Sequence, residues 1–202
     1  MMFAMRISLP DLRVLAHRFW RDQQGSLSIE TVVILPLLLF ATTAGLGYWN
    51  AFNSNSRTAK VAYTVADIAS RYTSVDDVDM AYLFNLQNKM LPGNVVQRTM
   101  RISSVCFEEG ALRVLWSHSV ASDDVLVPLP PLVDQTIPLD ILPPMVPQDS
   151  IILVEVTGTW SPIFTNIGMD AMRWNNALAV RPRFVKFIPH DQLNTANVCP
   201  SA

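Results

Sequence analysis

The sequence has few of the residues from which catalytic and cofactor sites are usually built. It has two cysteines and three histidines among 202 residues. It contains neither a Walker loop nor a G-x-G-x-x-G segment that would hold phosphates. Its formal net charge is −2, so it lacks the basic surface that nucleic acids require. These absences argue against a nucleotide-dependent enzyme and against a nucleic-acid-binding protein.

The remaining catalytic and metal-binding candidates have unsuitable spacing. Ser117 and His118 are neighbours on a predicted strand, where they point to opposite faces and cannot act as nucleophile and base. His118 and His190 have no ligand-like spacing to Cys106 or Cys199. A short acidic cluster lacks the glycine and glutamate positions of a calcium loop: Asp76, Asp77 and Asp79. We therefore expect a non-catalytic protein with no cofactor, no metal and no small-molecule substrate.

A run without any charged residue extends from Thr31 to Phe52, which is 22 residues. As a helix rising about 1.5 Å per residue, it spans roughly 33 Å, enough to cross a hydrocarbon core of about 30 Å. The run is too long for the apolar core of a cleavable secretory signal, and no A-x-A-like site closes it. The sequence therefore predicts one membrane-spanning helix near the N-terminus.

One acid lies at the start of this apolar segment. Glu30 occupies the fifth position after Gly25. An ionised group inside a membrane costs a few kcal/mol, and a simple anchor gives no reason for that cost. If a peptidase cut after Gly25, the new amino group of Ser26 would lie one helical turn from Glu30, in the same chain or in a packed neighbour. Cleavage would then create the missing counter-charge.

The segment QQGSLSIETVVILPLLL resembles the type IV pilin-like precursors, and more closely the TadE-like minor pilins and pseudopilins of the tight-adherence system. These proteins share a basic leader that ends in glycine, a glutamate at the fifth mature position and an apolar helix that often contains proline. Here those residues are Gly25, Glu30 and Pro36. The close resemblance covers residues 19–52. Weaker similarity extends to residues 56–75, Cys106, residues 181–187 and Cys199.

The resemblance implies a substrate of a prepilin peptidase that is cut between Gly25 and Ser26. Glu30 would then act in assembly, and Pro36 would kink the membrane helix. The partners implied are other pilins or pseudopilins and the assembly machinery of a Tad-type (Flp) pilus, which serves surface adhesion and biofilm formation. The alternative function is an uncleaved inner-membrane protein with one span, whose outer domain is a scaffold or chaperone for envelope assembly.

Three regions follow from these expectations. Residues 1–25 form a cytoplasmic leader, residues 26–52 the transmembrane helix and residues 53–202 a periplasmic α+β domain with a pilin-like fold. Four arginines precede the span and three basic residues follow it closely, and this excess favours a cytoplasmic N-terminus in the bacterial inner membrane. The residues counted are Arg6, Arg13, Arg18 and Arg21 before the span, and Arg57, Lys60 and Arg71 after it.

Helical periodicity continues beyond the predicted span. One apolar stripe runs along residues 55–72 and contains Val61, Val65, Ile68 and Tyr72. A second helix is predicted over roughly Val75–Met90, with Ser74 as its N-cap and residues 91–94 ending it. An apolar stripe of this kind usually packs against a sheet.

Alternation with a period of two replaces the helical pattern after residue 94. Apolar residues alternate on both sides of residues 108–110, which predicts a hairpin: Met100, Ile102 and Cys106 before the turn, and Leu112, Val114 and Trp116 after it. Seven prolines in residues 128–147 predict an extended surface crossing. Two more strands are predicted at Ile151–Trp160 and Ala177–Ile188. The expected fold is thus α+β, with a helix packed on a small antiparallel sheet.

The two cysteines lie far apart in the predicted outer domain. In an oxidising bacterial envelope, Cys106 and Cys199 can form a disulfide, which would tie down the C-terminal tail. The alternative is two unrelated thiols, with Cys106 buried as a small apolar residue.

Overall fold

The expected α+β class is confirmed by the computed structural model, which describes residues 24–108, 110–125, 129–163 and 168–193. By internal contacts the chain divides into two units, Met1–Leu46 and Gly47–Ala202, which are described separately below. Within the described residues, the helices and strands are α1 (Gln24–Ala69), α2 (Asp77–Met90), β1 (Val95–Glu108), β2 (Ala111–Ala121), β3 (Ser150–Trp160) and β4 (Met172–Val180).

The part of α1 that belongs to the first unit is apolar, and its side chains are largely exposed from residue 28 onward. By length and composition, α1 can cross a membrane. Its threonine hydroxyls are satisfied within the helix, since Thr42 Oγ1 donates to Leu38 O at 2.9 Å and Thr43 Oγ1 donates to Leu39 O at 2.7 Å. These two hydroxyls therefore need no water on the apolar surface of the segment.

In the second unit, α1 buries the predicted apolar stripe against the sheet. Val61 and Val65 are fully buried, and Ile68 is partly buried against the same core. Asn50 fixes the start of this contact, because its Oδ1 accepts hydrogen bonds from Trp160 Nε1 at 2.8 Å and from Asn94 Nδ2 at 2.6 Å. The stripe was thus predicted correctly from its spacing.

Helix α2 begins two residues later than predicted, and its cap is Asp76 rather than Ser74. Asp76 has extended backbone angles, and its carboxylate accepts from Asp79 N at 2.8 Å. The Asp79 carboxylate in turn accepts from Asp76 N at 3.3 Å, which completes a capping box. A carboxylate is as good an N-cap as a serine hydroxyl, so propensity alone did not distinguish the two positions.

The four strands form one antiparallel sheet in the order β2-β1-β3-β4. The predicted β1–β2 hairpin is confirmed. Strand β3 is buried along nearly its whole length, because both faces of the sheet are covered. The helices cover one face, where Ile152, Val154 and Val156 join the larger apolar cluster. Leu153 points to the opposite face and belongs to a second cluster.

The proline-rich segment covers this second face. Over residues 129–147 it is irregular, with a 3-10 turn at Asp134–Thr136 and a second turn at residues 139–141. It does more than cross the surface, however, because Leu132 and Ile137 are buried against Val105 and Leu153. We call the side of the sheet covered by α1 and α2 the helix face, and the side covered by the proline-rich segment the proline face.

Arg101 fastens the proline-rich segment to the sheet. Its Nε lies 2.5 Å from Glu155 Oε2 on the neighbouring strand, and both side chains are about nine-tenths buried. Its guanidinium also donates to Pro130 O at 2.7 Å. One buried ion pair thus links β1, β3 and the covering segment.

A bulge in β2 interrupts the alternation predicted for the hairpin. The β1–β2 register shifts between Ser104 and Val105, so that β2 has one extra residue there. Leu112 and Val114 consequently pack on the proline face, whereas Trp116 packs on the helix face. The period-of-two alternation predicted from Leu112 to Trp116 was therefore wrong, because a bulge reverses the side on which every later residue lies.

The last strand was predicted in part. It covers Met172–Val180 instead of Ala177–Ile188, and its pairing with β3 ends at Ile152↔Val180. Residues 181–187 return to the end of α1, where Arg183 N donates to Ser70 O at 2.9 Å and its guanidinium pairs with Asp67. Pro182 cannot donate to a ladder, which is consistent with a strand that ends just before it.

A tight contact between β1 and β3 gives a test of this packing. A Cβ added at Gly158 would lie 2.5 Å from Val95 Cγ1, a buried and stiff side chain. We expect Gly158→Ala to lower the free energy of unfolding by about 1–3 kcal/mol. In a Val95→Ala background the same change should cost less than about 0.5 kcal/mol, because the clash is gone. Denaturant unfolding of the full chain in detergent measures both values, and equal costs in the two backgrounds would contradict this contact.

Candidate functional site

The proposed processing residues lie in the first described turn of α1. Gly25 and Ser26 have helical backbone conformation, and Glu30 follows four residues after Ser26 with an exposed side chain. Positions four apart share one face of a helix and are about one turn apart. The helix therefore places Glu30 on the same side as the position where a new amino group of Ser26 would form.

Pro36 lies inside α1, and the helix continues on both sides of it. A proline has no backbone N–H, so the carbonyl of Val32 loses its usual donor. The kink expected at Pro36 stays a prediction.

A second cluster joins three side chains that are distant in sequence: Asp77 at the start of α2, His118 on β2 and His190 near the end of the described chain. Asp77 Oδ1 lies 3.5 Å from His118 Nδ1 and 3.6 Å from His190 Nε2. The two imidazole rings are nearly parallel, with an interplanar angle of 16° and centroids 5.5 Å apart. We call these three residues the histidine cluster.

The protonation of His190 is fixed by its backbone surroundings. Its Nδ1 accepts hydrogen bonds from the amides of Gln192 at 3.3 Å and Leu193 at 3.2 Å. A nitrogen that accepts cannot carry a proton, so the proton of the neutral ring lies on Nε2, on the side of Asp77. Nε2 is buried and has no hydrogen-bond partner within the described part of the chain.

Electrostatics also favour the neutral ring of His190. Burial of the imidazole is the largest cause that lowers its pKa, and the neighbouring His118 is the second. Asp77, Asp191 and Asp76 act in the opposite direction and only partly offset these effects. His190 is therefore held in its uncharged form below the pH at which a free histidine would become protonated.

The spacing of the histidine cluster suits a metal ion, but the protonation of His190 does not. Bonds of about 2.1 Å in a tetrahedral zinc site place ligand atoms roughly 3.4 Å apart, close to the two separations from Asp77. A metal-binding histidine, however, usually donates its other N–H to an acceptor. His190 does the reverse, because its second nitrogen accepts from two amides. The atom that would face the metal thus carries the proton.

The histidine cluster was not predicted from the sequence. Its members have no motif spacing, and His118 reaches the helix face only after the β2 bulge. The separation expected for Ser117 and His118 is confirmed, since Ser117 Oγ accepts from Leu132 N at 2.8 Å on the proline face. Two members of the acidic cluster at residues 76–79, Asp76 and Asp79, form the cap of α2.

Cys106 is fully buried in β1. Cys199 lies outside the described residues, so its pairing with Cys106 stays a prediction. The leader, residues 1–25, also lies outside them except for its last two residues.

No protein-family model, curated protein or solved structure matches this chain. The TadE-like resemblance therefore rests on the residues quoted above.

The protonation state of His190 predicts weak or absent metal binding at the histidine cluster. We expect the full chain in detergent at pH 7.5 to give no saturable tetrahedral cobalt spectrum when Co²⁺ is added, because Nε2 of His190 offers a proton rather than a lone pair. The opposite result would be a saturable spectrum that is lost in His118→Gln and His190→Asn but kept in His17→Gln. The third variant is the matched control for the loss of one histidine.

Proposed function

We propose that this chain is a non-catalytic minor pilin or pseudopilin of the TadE-like type, processed by a prepilin peptidase and active in the assembly of a Tad-type pilus. The observation that carries the proposal is the position of Glu30, the one acid in the apolar part of α1. It lies one turn from Ser26 on a helix able to span a membrane.

Glu30 would have a counter-charge if the chain is cut after Gly25. The cut releases the α-amino group of Ser26, which is largely protonated at neutral pH. In a membrane this cation and the Glu30 carboxylate neutralise each other more favourably than either is solvated alone. Pairing between neighbouring subunits would align their helices in register, while pairing within one chain would serve only its own insertion.

The exposed apolar surface of α1 supports lateral packing of this kind. Large side chains from residues 29–40 are about half exposed or more, and no residue of the described part covers them. Ala41 and Gly45 form a small-xxx-small pair, and an added Cβ at Gly45 would meet no atom within 4 Å. The helix thus has room for the backbone of a partner helix on that side.

The outer domain supports a structural role. Ser117 and His118 lie on opposite faces of the sheet, so they cannot act together as nucleophile and base. Under this proposal the domain is periplasmic and contacts other pilus components. The uncleaved scaffold is the competing outcome, and processing separates the two.

Processing should depend on the small size of Gly25, because a peptidase at the membrane face needs access to the backbone there. We expect Gly25→Leu to leave only the full-length precursor in membranes. Gly25→Ala, the matched control, should still be cut to a large extent. Intact mass and N-terminal sequencing measure both. Wild-type protein that keeps residues 1–25 in piliated cells would favour the scaffold instead.

Loss of the Glu30 charge should affect assembly and spare insertion. We expect Glu30→Gln and Glu30→Val to reach normal levels in the membrane, since removing a charge from an apolar segment makes insertion easier. Both variants should fail to co-purify with other pilins and should reduce piliation strongly. Asp140→Asn, which removes an exposed acid of the proline-rich segment, is the control. Normal piliation and crosslinking in Glu30→Val would contradict the pairing.

A further inference from the structure

The last described residues, 189–193, form a strap beside the histidine cluster. Ile188 precedes the strap and is buried in the core, where its carbonyl accepts from Trp116 Nε1 at 2.6 Å. Three hydrogen bonds fasten the strap to the start of α2 and the residues before it: Val75 N to Pro189 O (3.0 Å), Asp191 N to Val75 O (2.9 Å) and Asp77 N to Gln192 Oε1 (2.9 Å). These bonds hold the strap against α2 along most of its length.

His190 holds the strap from the inside. Its side chain is fully buried, and its ring meets Trp116 edge-on, with centroids 5.3 Å apart. The two amide bonds to its Nδ1 close the turn formed by the strap itself. Both amide bonds depend on an unprotonated Nδ1 in this orientation.

A second proton on His190 is incompatible with this closed arrangement. The proton would enter at Nδ1, where the N–H groups of Gln192 and Leu193 already point. Two donor bonds would become donor–donor contacts, and a positive charge would form in a site without exposure to water.

The charged groups around His190 do not compensate for this cost. Asp77 on α2 is the nearest carboxylate, but it is half exposed and lies equally close to His118 on β2. His118 repels a charged His190 whenever it is itself protonated. Asp76, which caps α2, and Asp191 in the strap are weaker sources of attraction. Burial and His118 together therefore outweigh the three carboxylates.

We propose that the strap is a proton-controlled latch: it is closed on α2 and β2 while His190 is neutral, and it opens when His190 is protonated. Opening separates residues 189–193 from Val75, Asp77 and Trp116, and Ile188 remains as the anchor. The latch does not depend on the proposed role in pilus assembly.

The direction of the pH response follows from the two forms of the latch. The pKa of His190 is lowered in the closed form, whereas in the released strap it returns to the ordinary histidine pKa of about 6.5. The closed form is fully favoured above that value. It loses stability as the pH falls below about 6.5, and the loss ends once the pH is below the lowered pKa of the closed form.

Hydrogen exchange of the full chain in detergent, followed by mass spectrometry from pH 7.5 to 5.0, tests the latch. After correction for intrinsic exchange rates, we expect opening of residues 189–193 and of the amides of Val75 and Asp77 to increase as the pH falls. The increase is limited to about tenfold per pH unit for one proton. Peptides from the centre of β3 should show no such increase. A strap whose opening is the same at pH 7.5 and 5.0 would overturn the proposal.

Two substitutions assign the response to His190. His190→Asn keeps a side-chain oxygen near the position of Nδ1 but cannot be protonated, so its opening should not vary with pH. His118→Gln removes the repulsion from β2, so it should reduce the acid-induced opening without abolishing it. His17→Asn is the matched control and should respond like the wild type.

The proposal is wrong if His190→Asn keeps the full acid response, or if His118→Gln enlarges it. Should His190→Asn fail to fold, His118→Gln alone decides, because its fold does not depend on a buried ring nitrogen.

Discussion

The burial of β3 on both of its faces is the constraint on which the α+β domain depends. Its alternate side chains, Ile152 on one face and Leu153 on the other, are both removed from water. A strand that is apolar on both sides requires two covering layers, whereas most antiparallel sheets need one. The helices supply the first layer, and a segment too rich in proline to form a helix or an inner strand supplies the second. Arg101 and Glu155 then hold that irregular layer in place.

The two parts of α1 differ in where their polar side chains find hydrogen-bond partners. Thr42 and Thr43 return their hydroxyls to the helix itself, which suits a surface in contact with lipid or with another apolar helix. Asn50, a little further along, accepts instead from the sheet and from the turn before β1. Beyond the division at Leu46 and Gly47, α1 thus combines tertiary bonds of this kind with internal ones, since Thr58 and Thr64 still donate to carbonyls of the helix.

Periodicity was enough to predict the elements but not their irregularities. Val61, Val65 and the β1–β2 hairpin were readable because one helical or strand period persists over many residues. The Asp76 cap, the β2 bulge and the early start of β4 were not, since each depends on a local choice between alternatives of similar energy. The histidine cluster is formed by Asp77, His118 and His190, which are distant in sequence, so no local pattern could predict it. By contrast, the hypothesis of cleavage between Gly25 and Ser26, with Glu30 one turn away, came from local spacing. The helical backbone of these residues is consistent with that spacing.

Strand β4 shows how the sheet is protected at one end. Within the described residues no further strand pairs with its outer side, so a row of backbone donors and acceptors faces outward there. Such a row is a template for pairing with another chain. The strand is short, carries the exposed Arg173 and Asn175, and is followed by Pro182. These features discourage sheet extension between copies of this domain and leave association to other surfaces.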